Sequence, residues 1–151
     1  MDLSQAIRES IYQAISSISV DGFPIPVFDG VVNPNVTIPI IRSASTYIVL
    51  QGQQDNPSGI QNMCIERVVS NITIRIVTKF TTSGVTDRTL GEKISDLVQH
   101  AIRPNRSHNL ISNHINIQRV DFPIITQSEE FAGGQTAFSK ILIYSITLNK
   151  K

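Results

Sequence analysis

The chain has 151 residues, with 13 lysines and arginines against 12 aspartates and glutamates, so its formal charge at pH 7 is +1. This length suits one domain spanning residues 1–151, which can bury about 68–70% of the surface that its unfolded form exposes. Proteins that bind nucleic acid through its phosphates usually carry a marked excess of basic residues. This chain has no such excess, so tight nucleic-acid binding by one copy is not expected. Charged residues make up only 17% of the chain, and weakly charged surface suits contacts between subunits.

Cysteine content and hydropathy bear on where the protein works. Cys64 is the only cysteine, so no intrachain disulfide can form, and a reducing compartment or a particle assembled inside one is expected. No apolar run approaches the roughly 20 residues of a membrane-spanning helix. Acidic Asp2 stands where a secretory signal would carry basic charge. We therefore expect a cytoplasmic protein with no membrane partner.

Two segments have the apolar periodicity of amphipathic helices. The first spans about residues 3–18, with isoleucine, leucine and alanine recurring at spacings of three and four. The second begins near Thr86 or Asp87, either of which can cap it, and Pro104 ends it. Gly91 inside this helix costs about 1 kcal/mol relative to alanine, and a close contact at that position would explain its presence.

The segments between the helices alternate as strands do. A connector rich in proline and glycine over residues 19–39, with one short strand at Val27–Phe28, precedes a strand from about Thr46 to Gln53. The clearest strand spans Cys64–Phe80, with apolar residues on one parity and polar residues on the other, which predicts a sheet with one dry face. Its length predicts a bend or a projection beyond the domain.

The last third of the chain predicts two strands joined by a long connection. Residues 115–122 and 137–148 alternate, and residues 126–136 between them exceed the two to five residues of an ordinary hairpin loop. Their glycine pair, acidic pair and lone aromatic, Phe131, suit an arm that orders against a neighbouring molecule. The fold class is therefore α+β: two helices on one face of a mainly antiparallel sheet, with a long hairpin or loop arm.

No group of residues has the pattern of a catalytic, cofactor or metal site. His100 shares a helix face with Asp96, but His108 and His114 follow without the closely spaced ligand pairs of zinc sites. No serine, and not Cys64, lies in the glycine-rich turn that presents a nucleophile, and no glycine pair has the ending of a phosphate loop. We expect no enzymatic activity, no cofactor and no metal.

Three cations share the polar parity of the long strand: Arg67, Arg75 and Lys79, with Arg119 as a candidate neighbour. The simplest interpretation is a solvated sheet face. The alternative is that repetition of this stripe around a ring sums a small subunit charge into a charged belt.

The order of elements resembles that of the tail terminator, or tail completion, proteins of long-tailed bacteriophages. The resemblance covers nearly the whole chain and is architectural. In the family pattern a short apolar strand follows the proline-rich link directly, whereas Arg42–Ser45 intervene here. The resemblance rests on the following segments, in chain order: the helix Leu3–Ile18, the proline-rich link, Ile38–Ile41 and Tyr47–Leu50, the strand Val68–Phe80, the helix with Leu90–Val98, and the final strand pair closing with Ile141–Tyr144.

The resemblance implies a structural virion protein located in the tail or neck and assembled in the host cytoplasm. It would be a subunit of a ring, usually a hexamer, that caps the tail tube, stops its polymerisation and forms the head–tail joining surface. Its partners would be copies of itself, the tail tube protein and a head connector or stopper protein, with DNA only as cargo passing through the ring. Residues 126–136 and 53–62 are predicted contact loops. The predicted interface residues are Glu129, Glu130, Phe131, Gln54, Asp55, Arg67, Arg75 and Lys79.

Three alternatives stay open. A head-closure or connector ring subunit of the neck would have a similar architecture and bind the portal side. An intracellular binding module acting on a host protein would remain monomeric. An enzyme acting on a small molecule would need a deep pocket that joins His100 and His114.

Overall fold

The computed structural model describes residues 2–57, 67–81, 88–104 and 108–150. Within these residues, two helices lie against one face of a seven-stranded sheet, and two short strands form a separate hairpin. The helices are α1 (Leu3–Ile15) and α2 (Arg88–Ile102), and the strands are β1 (Ser19–Val20), β2 (Phe23–Pro24), β3 (Val27–Asp29), β4 (Ile40–Ile41), β5 (Ala44–Pro57), β6 (Arg67–Thr81), β7 (Ile115–Val120), β8 (Ile124–Ala132) and β9 (Gln135–Lys150). This arrangement confirms the predicted α+β class.

The sheet has the order β3-β5-β6-β9-β7, with β4 also paired to β5 and β8 also paired to β9. Among the described strands of this sheet, only β3 and β5 pair in parallel. Since β6 pairs with β9 along nearly its whole length, β7 and β8 must both lie on the other side of β9. They follow one another there as a long edge strand interrupted at residues 121–123. The sheet therefore has one edge formed by β7 and β8 and an opposite edge formed by β3.

The core lies between the helices and the inner face of the sheet, which is the face that the helices cover. Its centre is formed by alternate residues of β6 and β9 that are fully buried, as the predicted dry parity of the long strand requires. Both helices contribute apolar side chains at spacings of three and four. The central residues are Ile72, Ile74, Ile76, Leu142 and Tyr144 from the sheet, with Ile7, Ile11, Leu90, Ile94 and Val98 from the helices.

Gly91 allows α2 to approach the sheet closely. A Cβ atom at this position would lie 3.1 Å from two ring carbons of Phe138 and 3.2 Å from Oγ1 of Thr78. Gly91 itself is buried. The close contact that was expected to explain a glycine inside this helix is therefore present, and Phe138 of β9 makes it.

Two predicted boundaries differ from the structure. Helix α1 ends at Ile15 rather than near residue 18, because the chain turns after Ser16 while Ile18 still packs into the core. Strand β5 continues beyond Gln53 to Pro57, because a bulge between Leu50 and Gln53 shifts its parity and hides the extension from a period-two pattern. The predicted caps Thr86 and Asp87 lie outside the described residues, as do residues 58–66, which include Cys64.

The predicted loop over residues 126–136 is a β-hairpin. Strand β8 pairs with β9 from Ile124 opposite Ile143 to Ala132 opposite Gln135. Gly133 and Gly134 form the two-residue turn, both with positive φ, as the twist of a tight hairpin favours. Of the two forms of arm that were predicted, a hairpin or a loop, the structure has the hairpin.

Part of the outer sheet face is covered by the proline-rich connector. Phe28, Tyr47, Val49 and Val77 form a second buried cluster, against which Val32 and Ile38 of the connector pack. The rings of Phe28 and Tyr47 meet edge to face at 5.9 Å. The predicted open, polar outer face is therefore restricted to the part of β6 and β9 away from this cluster.

The segment Arg42–Ser45, which departs from the tail-terminator pattern, contains a hairpin turn. Ile41 pairs with Ala44, so Arg42 and Ser43 are the two turn residues, and both have positive φ. Such turns usually carry asparagine or glycine.

Neither described helix is long and apolar enough to cross a membrane.

Candidate interaction surfaces

Strand β8 is exposed along its entire length. None of its nine residues is buried or half-buried, and no strand in the described ranges pairs with its outer edge. Ile124 and Phe131 are 65% and 68% exposed. We call residues 124–136 the arm. An uncovered edge strand of this length is a ready template for pairing with another chain.

The register assigns the two faces of the arm. Residues alternate between faces along a strand, so Ile125 and Phe131 lie on the helix side of the sheet and Ile124 on the outer side. Glu129, on the helix side, forms an ion pair with Arg88 at the start of α2, at 2.7 Å. Both groups are largely exposed, so this pair contributes about 0–1 kcal/mol and fixes the base of the arm only weakly.

The eight predicted interface residues fall in three places that the fold does not bring together. Glu129, Glu130 and Phe131 lie exposed on the arm. Gln54 and Asp55 lie near the end of β5, and the three cations lie on β6. The nearest approach is on the outer face, where the register aligns Lys79 with Ala137 and Ala137 with Glu130.

The carboxylate of Asp55 is hydrogen-bonded within the protein, and its role at an interface stays a prediction. Ser4 of α1 donates a hydrogen bond to Oδ2, while Ser70 and Gln53 donate to Oδ1. Burial alone would raise the pKa of Asp55, but these three hydrogen bonds outweigh it and lower the pKa below its ordinary value of 3.8. Because the bulge places Asp55 on the inner face, its carboxylate accepts the hydrogen bond from Ser4 and so links α1 to the sheet.

Two of the β6 cations also make contacts within the chain. Nε of Arg75 donates to Oγ of Ser139 at 3.0 Å, across the outer face. Nζ of Lys79 lies 5.7 Å from the ring centre of Tyr47, in cation–π geometry. These contacts suit the solvated-face interpretation, and a charged belt in a ring stays a prediction.

The titratable groups are dispersed. His100 Nδ1 lies 2.8 Å from the carbonyl of Asp96, and His108 Nε2 lies 2.8 Å from that of Ile117. A small cavity of about 120 Å3 between α1 and residues 111–114 includes His114 but not His100. Among the described residues no three His, Cys, Asp or Glu side chains converge as a metal site would require. Burial raises the pKa of the Tyr144 hydroxyl, so it stays protonated at neutral pH.

Sequence reasoning missed a groove at the opposite edge of the sheet, which we call the β3 groove. It has an open volume of about 640 Å3 and lies between the end of α1, β3 and the connector. Asp29 is its one charged lining residue, and Arg8 forms an ion pair with it. The sequence feature that could have indicated this groove is the set of valines among the prolines and glycines of the connector. The apolar lining residues include Tyr12, Pro24, Pro26, Phe28, Val31 and Val36.

Exposed apolar side chains mark both edges of the sheet. At the groove, Val31 is 81% exposed, and Tyr12 and Val36 are also exposed. At the other edge, Phe122 is 76% exposed and continues the apolar surface of the arm. Exposed apolar groups that gather in this way mark interaction surfaces.

No protein-family model matches the chain, and no curated protein sequence matches it. A solved structure does: a chain in the virion of a native gene transfer agent (GTA) particle matches with a TM-score of 0.67 and 12% sequence identity. The match covers 97% of this chain and 97% of that chain. At this identity the likeness shows a common fold, and the coverage extends it to nearly the whole of both chains.

Proposed function

We propose that the protein is a structural subunit of a phage-like virion, which forms a ring, caps the tail tube and joins it to the head. The observation that carries the proposal is the whole-chain fold shared with a chain of a GTA virion. The order of elements, which resembles that of tail terminators, supports the finer assignment. The partners are further copies of the chain, the tail tube protein and a head connector or stopper protein, with DNA as passing cargo.

The exposed arm supports this assembly role. A strand with nine exposed residues and an unpaired edge is costly for a monomer to display, because it invites non-specific pairing. In a ring, a neighbouring subunit would cover the arm and so remove this exposed edge. The weak overall charge also suits a protein whose surface is largely used for contacts. The proposal assigns no catalytic role and no cofactor.

A shortened-arm variant tests the proposal. Replacing residues 131–136 by Asn-Gly links Glu130 to Ala137 by a two-residue turn. These two residues are already paired opposite each other, and they lie two pairs from Ala132 and Gln135, so the alternation of hydrogen-bonded pairs and the register of the sheet are kept. Isolated tail tubes are then incubated with either protein and imaged by electron microscopy. We expect the unaltered protein to form rings on one end of each tube and to stop elongation when tube subunits are added, and the shortened variant to do neither.

A matched control uses Lys93→Ala, a change on an exposed position of α2. It should cap tubes as the unaltered protein does. Cosedimentation with DNA-filled heads but not with tubes would instead favour the head-closure or connector subunit. Full capping by the shortened-arm variant would overturn the role of the arm, and indifference of the unaltered protein to both tubes and heads would overturn the proposed function.

A further inference from the structure

We infer that the arm of one copy inserts into the β3 groove of the next copy, so that subunits associate head to tail. This inference deepens the proposed function and rests on it for the biological setting. It concerns which two surfaces meet, and it can be tested without tail tubes. The contact joins Phe131 and Ile125 of the arm to the apolar lining of the groove around Val31.

The two surfaces are complementary in polarity. The arm presents apolar side chains on an edge strand that pairs with β9 on one side, and no strand in the described ranges pairs with the backbone groups of its outer edge. The groove is lined mainly by apolar residues, and its one charge, Asp29, is already neutralised by Arg8. Arg8 also donates to the carbonyls of Leu50 and Gln51, both at 2.9 Å, so the ion pair is held on the sheet. Apolar, charge-poor surface is typical of interface cores.

The groove has room for side chains of the arm. Its volume of about 640 Å3 lies within the about 300–1,000 Å3 of cavities that hold compact ligands. Aromatic side chains are the commonest anchors in such contacts. Phe131 is the exposed aromatic of the arm and lies two residues before the turn at Gly133 and Gly134, so it can enter a recess without moving the body of the subunit.

A second copy, and not the same copy, must supply the occupant. The arm lies beside β9 and the groove beside β5, and the strands β5, β6 and β9 separate them. At about 4.8 Å per strand, the two edges are about 19 Å apart across a continuous sheet. One subunit therefore carries two unlike apolar surfaces at opposite edges, and neither can satisfy the other within the same chain.

Pairing of like surfaces explains the structure less well. A two-fold contact between arms would leave both grooves uncovered. Antiparallel pairing of two arms centred on residues 129 and 130 would also bring four glutamates together, which disfavours that pairing. A contact between unlike surfaces covers both and can repeat from copy to copy, which closes into a ring when the rotation between neighbours allows it.

A photo-reactive benzophenone side chain in place of Phe131 tests the contact directly. Protein labelled with 15N is mixed with unlabelled protein at millimolar concentration, irradiated, and digested for mass spectrometry, so that links between copies are separated from links within one. We expect links between copies that map to Tyr12, to residues 24–29 or to residues 31–36. Links to another arm, links to any other surface, or no link between copies would overturn the inference.

Two charge variants provide an independent test by complementation. Phe131→Asp disables the arm and leaves the groove intact, whereas Val31→Asp disables the groove and leaves the arm intact. Both side chains are largely exposed, so both variants should fold. Each alone should be monomeric in analytical ultracentrifugation, with self-association weakened about tenfold or more, which corresponds to about 1.4 kcal/mol.

Mixed in equal amounts, the two variants should form heterodimers and nothing larger, because only one intact pair of surfaces is available. Lys93→Asp is the matched control and should associate as the unaltered protein does. Homodimers of the Val31→Asp variant would show contact between arms and overturn the inference. Heterodimer formation by the mixed variants, together with no capping of tail tubes by the unaltered protein, would keep the inference and count against the proposed function, so the two can fail separately.

Discussion

The arm and the body of the sheet are built from the same strand and have opposite environments. Strand β9 runs through both: from Phe138 to Leu148 every second residue except the half-buried Lys140 is buried beneath the helices, whereas Gln135 at its start lies exposed beside β8. Backbone pairing is continuous across the two regions. The difference lies in the helix layer, which covers one region and not the other. Hydrogen-bonded pairing alone therefore places the arm, while apolar burial stabilises the body.

The largest expected effect comes from the centre of the body. Leu142→Ala should lower the free energy of unfolding by about 2–5 kcal/mol, because Leu142 is fully buried between the helices and β6 and its truncation leaves a cavity. Ile124→Ala, a truncation of similar size on the arm, should change it by less than about 0.5 kcal/mol. Urea unfolding followed by circular dichroism measures both. Similar losses in the two variants would show that the arm is part of the cooperative core.

The next largest effect tests how closely the helix layer approaches the sheet. Gly91→Val should destabilise the protein by about 1–3 kcal/mol, because the added methyl groups must displace the ring of Phe138 from its packed position. Combining it with Phe138→Leu makes room, so the double variant should lose less than the sum of the two single changes. Thermal unfolding of the four proteins gives the coupling free energy. Additive losses would contradict a direct contact.

The sequence predicted the body well and the arm less well, for one physical reason. A period-two pattern exists only where one face of a strand is dry, and β6 has such a face. In β8 both faces are exposed, so neither face has to be apolar and the sequence shows no alternation. Without alternation, the sequence of a strand cannot be distinguished from that of a loop. The bulge after Leu50 hid the end of β5 in the same way, by breaking the pattern that a continuous strand would show.

The interaction surfaces divide similarly. Phe131 was predicted as an anchor, because a lone aromatic in a polar segment has no role in a core, and the structure leaves its ring exposed. Asp55 was predicted to face a partner, but its parity changes at the bulge, and the structure shows it bound by Ser4 and Ser70. The β3 groove was not predictable, because its lining comes from α1, β3 and the connector, which only the tertiary fold brings together.

A smaller effect concerns the tie between α1 and the sheet at the far end of β5. The folded state lowers the pKa of Asp55 below 3.8, so the carboxylate contributes stability at neutral pH. That contribution is complete above the unfolded value and is lost as the pH falls through the folded pKa. Asp55→Asn should therefore cost about 1 kcal/mol at pH 7 and progressively less below about pH 4.

Chemical unfolding of both proteins between pH 7 and pH 3 measures this difference. Ser4→Ala provides the control, since it removes one donor and leaves the carboxylate, and it should cost less than Asp55→Asn at pH 7. A difference between Asp55→Asn and the unaltered protein that stays constant down to pH 3 would contradict a role for the charged carboxylate.

The smallest expected change in stability is at the tip of the arm. Phe131→Ser should alter the free energy of unfolding by less than about 0.5 kcal/mol, because the ring is 68% exposed and leaves no cavity when it is removed. The same variant should lose self-association, since the ring would be buried only against a second copy. A loss of stability above about 1 kcal/mol in the monomer would mean that Phe131 packs on its own body, and the contrast between arm and body would then fail at the residue that the proposed contact between copies uses as its anchor.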